Sequence, residues 1–416
     1  MRYPIAFLIA SLLMPLNVAA VTSGEEQVVL AQSVPEVTNE DEVAERLAEG
    51  DRLLDQGNQQ FNENRYQEAL QSWEQALAIY QDSAIQMKFP EESRRQEGET
   101  LYKLGGLYRR LRQFQEAIST LEQALQIVRE QGNQQSEIHI LNELGQVNVA
   151  LTQYEQAIYF YDKSLAIART IGERQTEATT FKYLGSAYWF LHDFERAINY
   201  FEQALEIFQE TGNHQAEGDT LIRLGIAYWE IGQGAYTIDL YQQALEVARE
   251  NNDKAGEGRV LGALGNVYDA QSQYKLAVDS FEQRLALSRE MGNRLEEGFA
   301  LGDLGGVYIT LGQHALSIDL NQQALSIARD FESRVLEGWL LRNLGIANWH
   351  LTYYEQSIDF YQKSLEIFRE IDAHPISESS TLLFLGIAYF DSGQDELAIN
   401  SYERALALAL EIGDRS

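Results

Sequence analysis

The 416-residue chain contains no cysteine. That excludes a disulfide framework, a thiol nucleophile and a cysteine-based zinc site, and it leaves the redox compartment open. Proline is scarce: there are five, at positions 4, 15, 35, 90 and 375, and all fall outside the segments read below as helix. Positive charge is scarce as well, with 32 Lys and Arg against 63 Asp and Glu and a formal net charge of −31. Nucleic acid and anionic membrane surfaces both call for basic patches, so neither is an expected partner. Strong acidity does favour solubility, which an extended surface needs. The six histidines, at 139, 192, 214, 314, 350 and 374, never fall four apart, and there is no HExxH. No metal site is therefore expected. A G-x-S-x-G elbow and a P-loop are also missing. Carboxylate pairs at helical spacing are common, but chance supplies them in so acidic a chain, and they read as a solvated face. No catalytic residue and no cofactor is assigned, and the expectation is a non-enzymatic protein.

What the chain does have is a period. Leu-Gly pairs end at Gly105, Gly145, Gly185, Gly225, Gly265, Gly305 and Gly345, each 40 residues after the last, and then at Gly386, 41 further on. Twenty residues after each Gly stands a Leu, from Leu125 to Leu406. A weaker first copy centres on Gly57, with Ala69, Trp73, Ala76 and Leu77 at the matching offsets, which makes nine copies. A fixed period of this length signals a solenoid or similar array. The copy at 173–212 shows the unit: a first helix carrying Phe181, Leu184, Gly185 and Tyr188, a turn at His192-Asp193, and a second helix. On the second helix Ile198, Phe201, Leu205 and Phe208 form one apolar stripe. Neither helix hides its stripe alone, so each pair closes as a hairpin and neighbouring hairpins cover the rest. A mid-helix Gly costs about 0.8–1 kcal/mol relative to Ala. Close helix approach must offset that cost, and Gly185 is expected to face Ala197.

Leu-Gly-x-x-Tyr, followed by Ala and Phe or Tyr four apart and a further Ala, resembles the tetratricopeptide repeat. The resemblance covers about residues 45 to 413. It implies an all-α, right-handed superhelical solenoid of nine helix-turn-helix repeats. These are placed at 45–84, 93–132, 133–172, 173–212, 213–252, 253–292, 293–332, 333–372 and 374–413, within a solenoid spanning 45–416. The family's usual unit is 34 residues and ends in Pro; here each unit is longer and lacks that Pro, so the second helix can run on. Long repeats of this kind are similar to those of cell-polarity adaptor scaffolds and of secreted or sensor-like bacterial arrays, which often precede a caspase-like CHAT domain.

Residues 1–31 have the layout of a secretory signal peptide: Arg2, an apolar run from Ile5 to Leu13, and small-residue sites ending at Ala20 and Ala31. The run is too short to span a bilayer. The alternative is an uncleaved N-terminal anchor; no Cys follows the run, which excludes a lipoprotein. The expected location is exported, periplasmic or extracellular in a bacterium. Residues 32–44 read as a linker and the start of the first helix, with Asn39 and Glu42 fitting a capping box. Between the first two copies, 85–92 is an eight-residue insertion, expected to be a loop because of Pro90. Helix ends are marked by Gly or Asn at 132, 172, 212, 252, 292 and 413, while Glu332 and Asp372 break the rule. Arg129, Arg169, Arg249, Arg289, Arg329 and Arg369 lie in last turns, where they suit the helix dipole. The extra residue before Gly386 is placed at His374-Pro375. After the last repeat no polar cap follows, so self-association or docking is expected through the exposed stripe of the final helix, with Tyr402, Leu406 and Leu408.

In the family the first helices line the concave face. The offsets just after each Gly, and one turn either side, give Asp51, Glu99, Asp219, Glu230, Asp269 and Asp391 against Arg109, Arg110, Lys182, Arg259 and Arg342. The groove therefore reads as near neutral. The same offsets give aromatic residues, and the expected ligand site in the concave groove is Trp189, Phe190 and Trp229, with a second cluster at Trp339, Arg342, Trp349 and His350. Trp189 and Trp229 share an offset in adjacent copies and are expected side by side, although packing against the next helix is the alternative. Trp73 falls on a core stripe and is expected to be structural. The chaperone-tail version of the fold grips a C-terminal carboxylate with Lys and Asn one turn apart; Asn142/Gln146, Lys182/Ser186 and Gly262/Asn266 stand there instead, so that ligand is not expected. The functional expectation is a protein-interaction scaffold that holds a peptide or protein segment. The alternative is a regulatory or sensor array for an effector domain or subunit outside this chain.

Overall fold

A computed structural model describes residues 40–371 and 375–413. The proposed signal segment, Asn39, Asp372 and His374 lie outside the described residues. Nineteen α-helices and no strand occur among the described residues. They are α1 (Glu40–Asn62), α2 (Tyr66–Tyr80), α3 (Ser83–Lys88), α4 (Pro90–Arg110), α5 (Phe114–Glu130), α6 (Gln134–Ala150), α7 (Tyr154–Ile171), α8 (Arg174–Phe190), α9 (Phe194–Thr211) and α10 (His214–Glu230). After these come α11 (Gly234–Glu250), α12 (Lys254–Ala270), α13 (Tyr274–Glu290), α14 (Arg294–Thr310), α15 (His314–Asp330), α16 (Arg334–His350), α17 (Tyr354–Glu370), α18 (Pro375–Asp391) and α19 (Asp395–Gly413). Without α3 these are the eighteen helices of nine hairpins. The chain forms two compact units that change over between Gly232 and Gln233. The N-terminal unit holds α1 to α10 and the C-terminal unit α11 to α19.

The hairpins are written locally. Side chains of Asn133, Asp193, Asn213, Asp253 and Asn293 accept from a backbone N–H three residues on, satisfying donors that a helix start leaves open. At the repeat ends Gly132, Gly172, Gly212, Asn252 and Gly292 adopt positive φ as expected. Glu332 takes the same conformation, φ 51°, so the backbone keeps the turn where the sequence rule breaks. Gly413 departs from the pattern and is still helical. The turns inside the hairpins use positive φ too, at Asn64, Arg112, Thr152, His192, Ser272 and Thr352, mostly without Gly.

Two expectations need correction. The 85–92 insertion is not a loop. Asp82 caps α3, accepting from the backbone of Ala84 and Ile85, and Pro90 opens α4. A proline at the first helical position loses no hydrogen bond, because that N–H has no intrahelical acceptor. Pro375 likewise opens α18, so these two prolines are helical and only Phe89 breaks the path of the first. The second correction concerns the repeat Gly. Gly185 faces Phe201, not Ala197: a Cβ there would lie 2.7 Å from the ring. The same sixteen-residue step pairs Gly57 with Trp73, Gly105 with Leu121, Gly145 with Tyr161, Gly265 with Phe281, Gly305 with Asn321, Gly345 with Tyr361 and Gly386 with Tyr402. The missing Cβ is a socket for a large side chain of the second helix. Most of those side chains, Tyr161, Phe201, Phe281 and Tyr361 among them, are fully buried, and Trp73 is core as expected.

Repeats join through a charged clamp. Arg129, Arg169, Arg249, Arg289, Arg329 and Arg369 do more than sit at helix ends: each Nε donates, at 2.6 to 2.9 Å, to a Glu of the next repeat, from Glu137 to Glu378. Glu177, Glu297 and Glu337 also accept from Arg174, Arg294 and Arg334. Two junctions use Gln in place of that Arg: Glu97 accepts from Gln81 at 3.1 Å, and Glu217 accepts from Gln209 at 3.2 Å and faces His214 at 3.1 Å.

Candidate functional site

Within each unit, successive first helices touch: α4 with α6, α6 with α8 and α8 with α10 in one, α14 with α16 and α16 with α18 in the other. Among the described residues, successive second helices make no comparable contact. The stack is therefore tighter along its first helices, and these form the inner face of each unit.

On α8, Trp189 is partly buried and packs edge-on against Phe190 (5.2 Å between centroids) and Phe194 (6.5 Å). Its Nε1 is buried and has no hydrogen-bond partner. Phe190 stacks on Tyr154 of the preceding repeat at 5.1 Å and 3°, so its ring serves the junction with α7. Trp229, on the adjoining α10, is partly buried at the same register as Trp189. Glu230 beside it is held above the ordinary carboxylate range by burial, with His192 opposing.

Of the residues grouped at the C-terminal unit, Trp349 and His350 meet edge to face at 4.7 Å between centroids, while Trp339 stands apart from them. Trp339 and Trp349 both lie on α16, ten residues and about 15 Å apart at 1.5 Å per residue. Arg342 donates to Ser380 on α18 at 3.4 Å. The Trp349 indole donates to Asp391 at 2.7 Å, which fixes it between α16 and α18. His350 is exposed and stacks face to face on His314 at 4.4 Å. Burial, then the neighbouring His314, lowers its pKa. In the same unit Arg284 rises from α13 past Gly262 to donate to Glu296 (2.6 Å) and Asp303 (2.7 Å).

Further polar residues collect in the seam between α6, α8 and α10. Arg109 pairs with Glu143 at 2.8 Å and Asn142 donates to Thr180 at 3.2 Å. Arg223 donates to the Ser186 hydroxyl at 3.4 Å, and Ser186 in turn donates to the Lys182 carbonyl at 2.9 Å. The Lys182 ammonium lies 5.8 Å from the centroid of Phe208. Sequence offsets named Lys182 but missed Arg223, Glu143 and Tyr183. All three stand two residues before a repeat Gly, an offset not read as inward. The signal was available, because that position is polar in most copies although a core Leu follows it.

Among the described residues no group of three His, Asp or Glu side chains is placed to hold a metal ion, and no helix is long and apolar enough to cross a membrane.

The tetratricopeptide repeat profile matches residues 96–170, 175–235, 236–290, 296–370 and 336–411. The chain belongs to this family, an all-α solenoid of helix-turn-helix repeats. No curated protein sequence matches it. Among solved structures it is similar to the apo form of RapI, at 13% identity and a TM-score of 0.62 over 90% of this chain and 99% of that one. It is also similar to the apo quorum sensor NprR from B. thuringiensis, at 17% identity and a TM-score of 0.59 over 89% and 99%. A third likeness is to a signal transduction ATPase with a tetratricopeptide repeat sensor, PH0952 from Pyrococcus horikoshii. There the identity is 14%, the TM-score is 0.59, and the match covers 83% of this chain but 54% of that one. These likenesses are of fold.

Proposed function

We propose that this protein is a non-enzymatic interaction scaffold whose N-terminal unit holds a peptide or protein segment along the inner face of α4, α6, α8 and α10. The observation that carries the reading is the partly exposed Trp189 and Trp229 at one register of two touching first helices, beside the Lys182–Arg223 seam. Other copies place Arg109, Val149, Asp269 and Ile309 at that register, so the fold does not demand an aromatic there. Trp and Arg are the residues in which binding hot spots are enriched, and truncating one costs about 2 kcal/mol or more. Trp189→Ala and Trp229→Ala should therefore each weaken binding of a peptide selected on the wild-type protein roughly thirtyfold. Unchanged affinity in both, with helicity retained, would place the site elsewhere. Loss of helicity in both would show that the rings serve packing.

The second reading is a sensor array that regulates an effector outside this chain. The likeness to a sensor-bearing ATPase, of whose length this chain spans about half, favours it. The signal-like segment at 1–31 supports export to a periplasmic or extracellular site. N-terminal sequencing of exported protein tests that, with Val21 or Gln32 as the expected first residue and Met1 as the contrary result.

A further inference from the structure

The first turn of each second helix turns one residue outward, eleven places after the repeat Gly. In the N-terminal unit that residue is polar: Glu68, Glu116, Gln156 and Arg196, all exposed. In the C-terminal unit it is Tyr236 on α11, Leu276 on α13 and Leu316 on α15, with 42%, 43% and 39% of their surface open to solvent. Gln356 interrupts the row and Leu397 resumes it. The next residue along, Thr237, Ala277 or Ser317, is fully buried. The fold therefore fixes which side of the helix faces out and leaves the identity of the outward residue free.

A second row lies one helical turn further on. Asp239, Asp279 and Asp319 follow the three apolar residues at i+3, the spacing that puts two side chains on one helix face. All three acids are exposed. Asp319 accepts from the neutral Gln323 at 2.8 Å, and among the described residues no Lys or Arg bridges to any of the three. The N-terminal unit has no such acidic row: its matching residues are Gln71, Ser119, Tyr159 and Asn199. Single exposed apolar residues need no explanation, but a row of them rimmed by polar groups marks an interaction surface. Touching helices have axes about 8–10 Å apart. Among the described residues α11, α13 and α15 do not touch, because the first helices α12 and α14 pack between them. Their apolar residues are therefore steps spaced by about 10 Å or more. An α-helix returns to the same face every seven or eight residues, about 10–12 Å along its axis.

We propose that this ledge on α11, α13 and α15 docks an amphipathic helix of a second protein, with apolar residues recurring every seven or eight places and Lys or Arg flanking them on one side. The apolar residues of that helix cover Tyr236, Leu276 and Leu316, and its bases meet Asp239, Asp279 and Asp319. Charge complementarity selects this occupant. A second copy of the chain brings the same acids and a net charge of −31, and like charges face to face repel. An anionic membrane is repelled for the same reason. The ledge lies in the C-terminal unit on second helices, so it does not rest on the peptide reading of the N-terminal inner face.

The test uses the full chain and a labelled synthetic helix with Leu at every seventh position and Lys four places after each. Two control helices replace every Lys by Glu or every Leu by Ser. In fluorescence anisotropy at fixed ionic strength, wild type should bind the Leu/Lys helix and neither control comparably. Leu276 and Leu316 each keep a substantial exposed surface to bury, so Leu276→Ser with Leu316→Ser should weaken binding about tenfold. Asp279→Asn with Asp319→Asn should weaken it a few-fold and flatten its decline with added salt. Glu116→Gln with Gln156→Ala, at the same register of the N-terminal unit, should leave it unchanged, and so should Trp189→Ala. Both Leu are exposed, so their double variant should melt with wild type; if it does not, the Asp pair, which leaves the apolar row intact, carries the test. Unchanged affinity in the Leu variant, or equal binding of the Leu/Lys and Ser/Lys helices, would reveal attraction to the acidic chain at large and overturn the ledge. Wild type that binds none of the three helices overturns it as well. Loss in the Leu variant with full affinity in the Asp variant at every salt concentration would overturn the basic partner. Wild type that sediments as a dimer, with the Leu variant a monomer, would give the ledge to a second copy and overturn the proposal. Binding to neutral lipid vesicles that the Leu variant loses would give it to a membrane, with the same consequence.

Discussion

Gly145→Ala isolates what the repeat glycine is for. Gly145 lies inside α6, and a Cβ there would sit 2.2 Å from Cε1 of Tyr161. Tyr161 is 1% exposed, so its ring has nowhere to retreat without moving α6 and α7 apart. Gly218, inside α10 of the same unit, supplies the control, because a Cβ there meets nothing within 4 Å. Both substitutions gain the same helix-propensity term, about 0.8–1 kcal/mol in favour of Ala. Only Gly145→Ala adds overpacking, at about 1–3 kcal/mol. Gly218→Ala should therefore be stabilised, and Gly145→Ala should fall about 1–3 kcal/mol below it. For a unit of this size each kcal/mol moves the midpoint by about 2–4 °C. Thermal and urea midpoints of the two variants would be compared with wild type. Adding Tyr161→Leu to Gly145→Ala should recover part of the loss, a coupling that a double-mutant cycle reads directly. If Gly145→Ala is as stable as Gly218→Ala, the socket does not exist and the glycine serves another purpose.

Two further outcomes follow from charge. Gln209→Arg should complete the clamp on Glu217 that six other junctions make with Arg, stabilising the α9–α10 junction by about 0.3–1 kcal/mol at low salt; a gain that persists undiminished in high salt would contradict an electrostatic origin. Asp303 is pushed up to about 6, chiefly by burial, with Arg284 opposing. Its folded-state value lies above its ordinary 3.8, so the folded state binds the proton more tightly; the stability this group contributes is full at low pH and is lost as pH rises to about 6. Wild-type stability minus that of Asp303→Asn should therefore fall between pH 3.8 and about 6 in denaturant titrations, and a rising difference would refute the assignment.

Sequence alone determined the architecture. A forty-residue period with an apolar stripe on each helix leaves a chain only one economical way to bury its surface, by stacking hairpins, and this holds whatever the surface residues are. The core identity of Trp73, the Gly and Asn turns and the absence of strand among the described residues follow from the same local rules. Local rules also explain the misses. Pro90 and Pro375 read as breaks because a proline ends a helix or begins one according to what precedes it. Gly185 was matched to a small partner when the true partner is the bulky Phe201, since sequence gives the period of a face but not its depth. The sequence named Lys182, and its polar offset could have marked Arg223, but that the two meet was not legible, for a further reason. Each residue is an ordinary charge on its own helix, and only the packing of α8 against α10 sets them side by side and removes the water that would have screened them. Tertiary packing gave Arg284 two carboxylates and, among the described residues, gave Arg223 none. Periodicity fixes which residues share a helix face; which charges meet across two faces, and at what cost, is settled by tertiary distance and burial, on which electrostatic energy depends far more steeply than on sequence spacing.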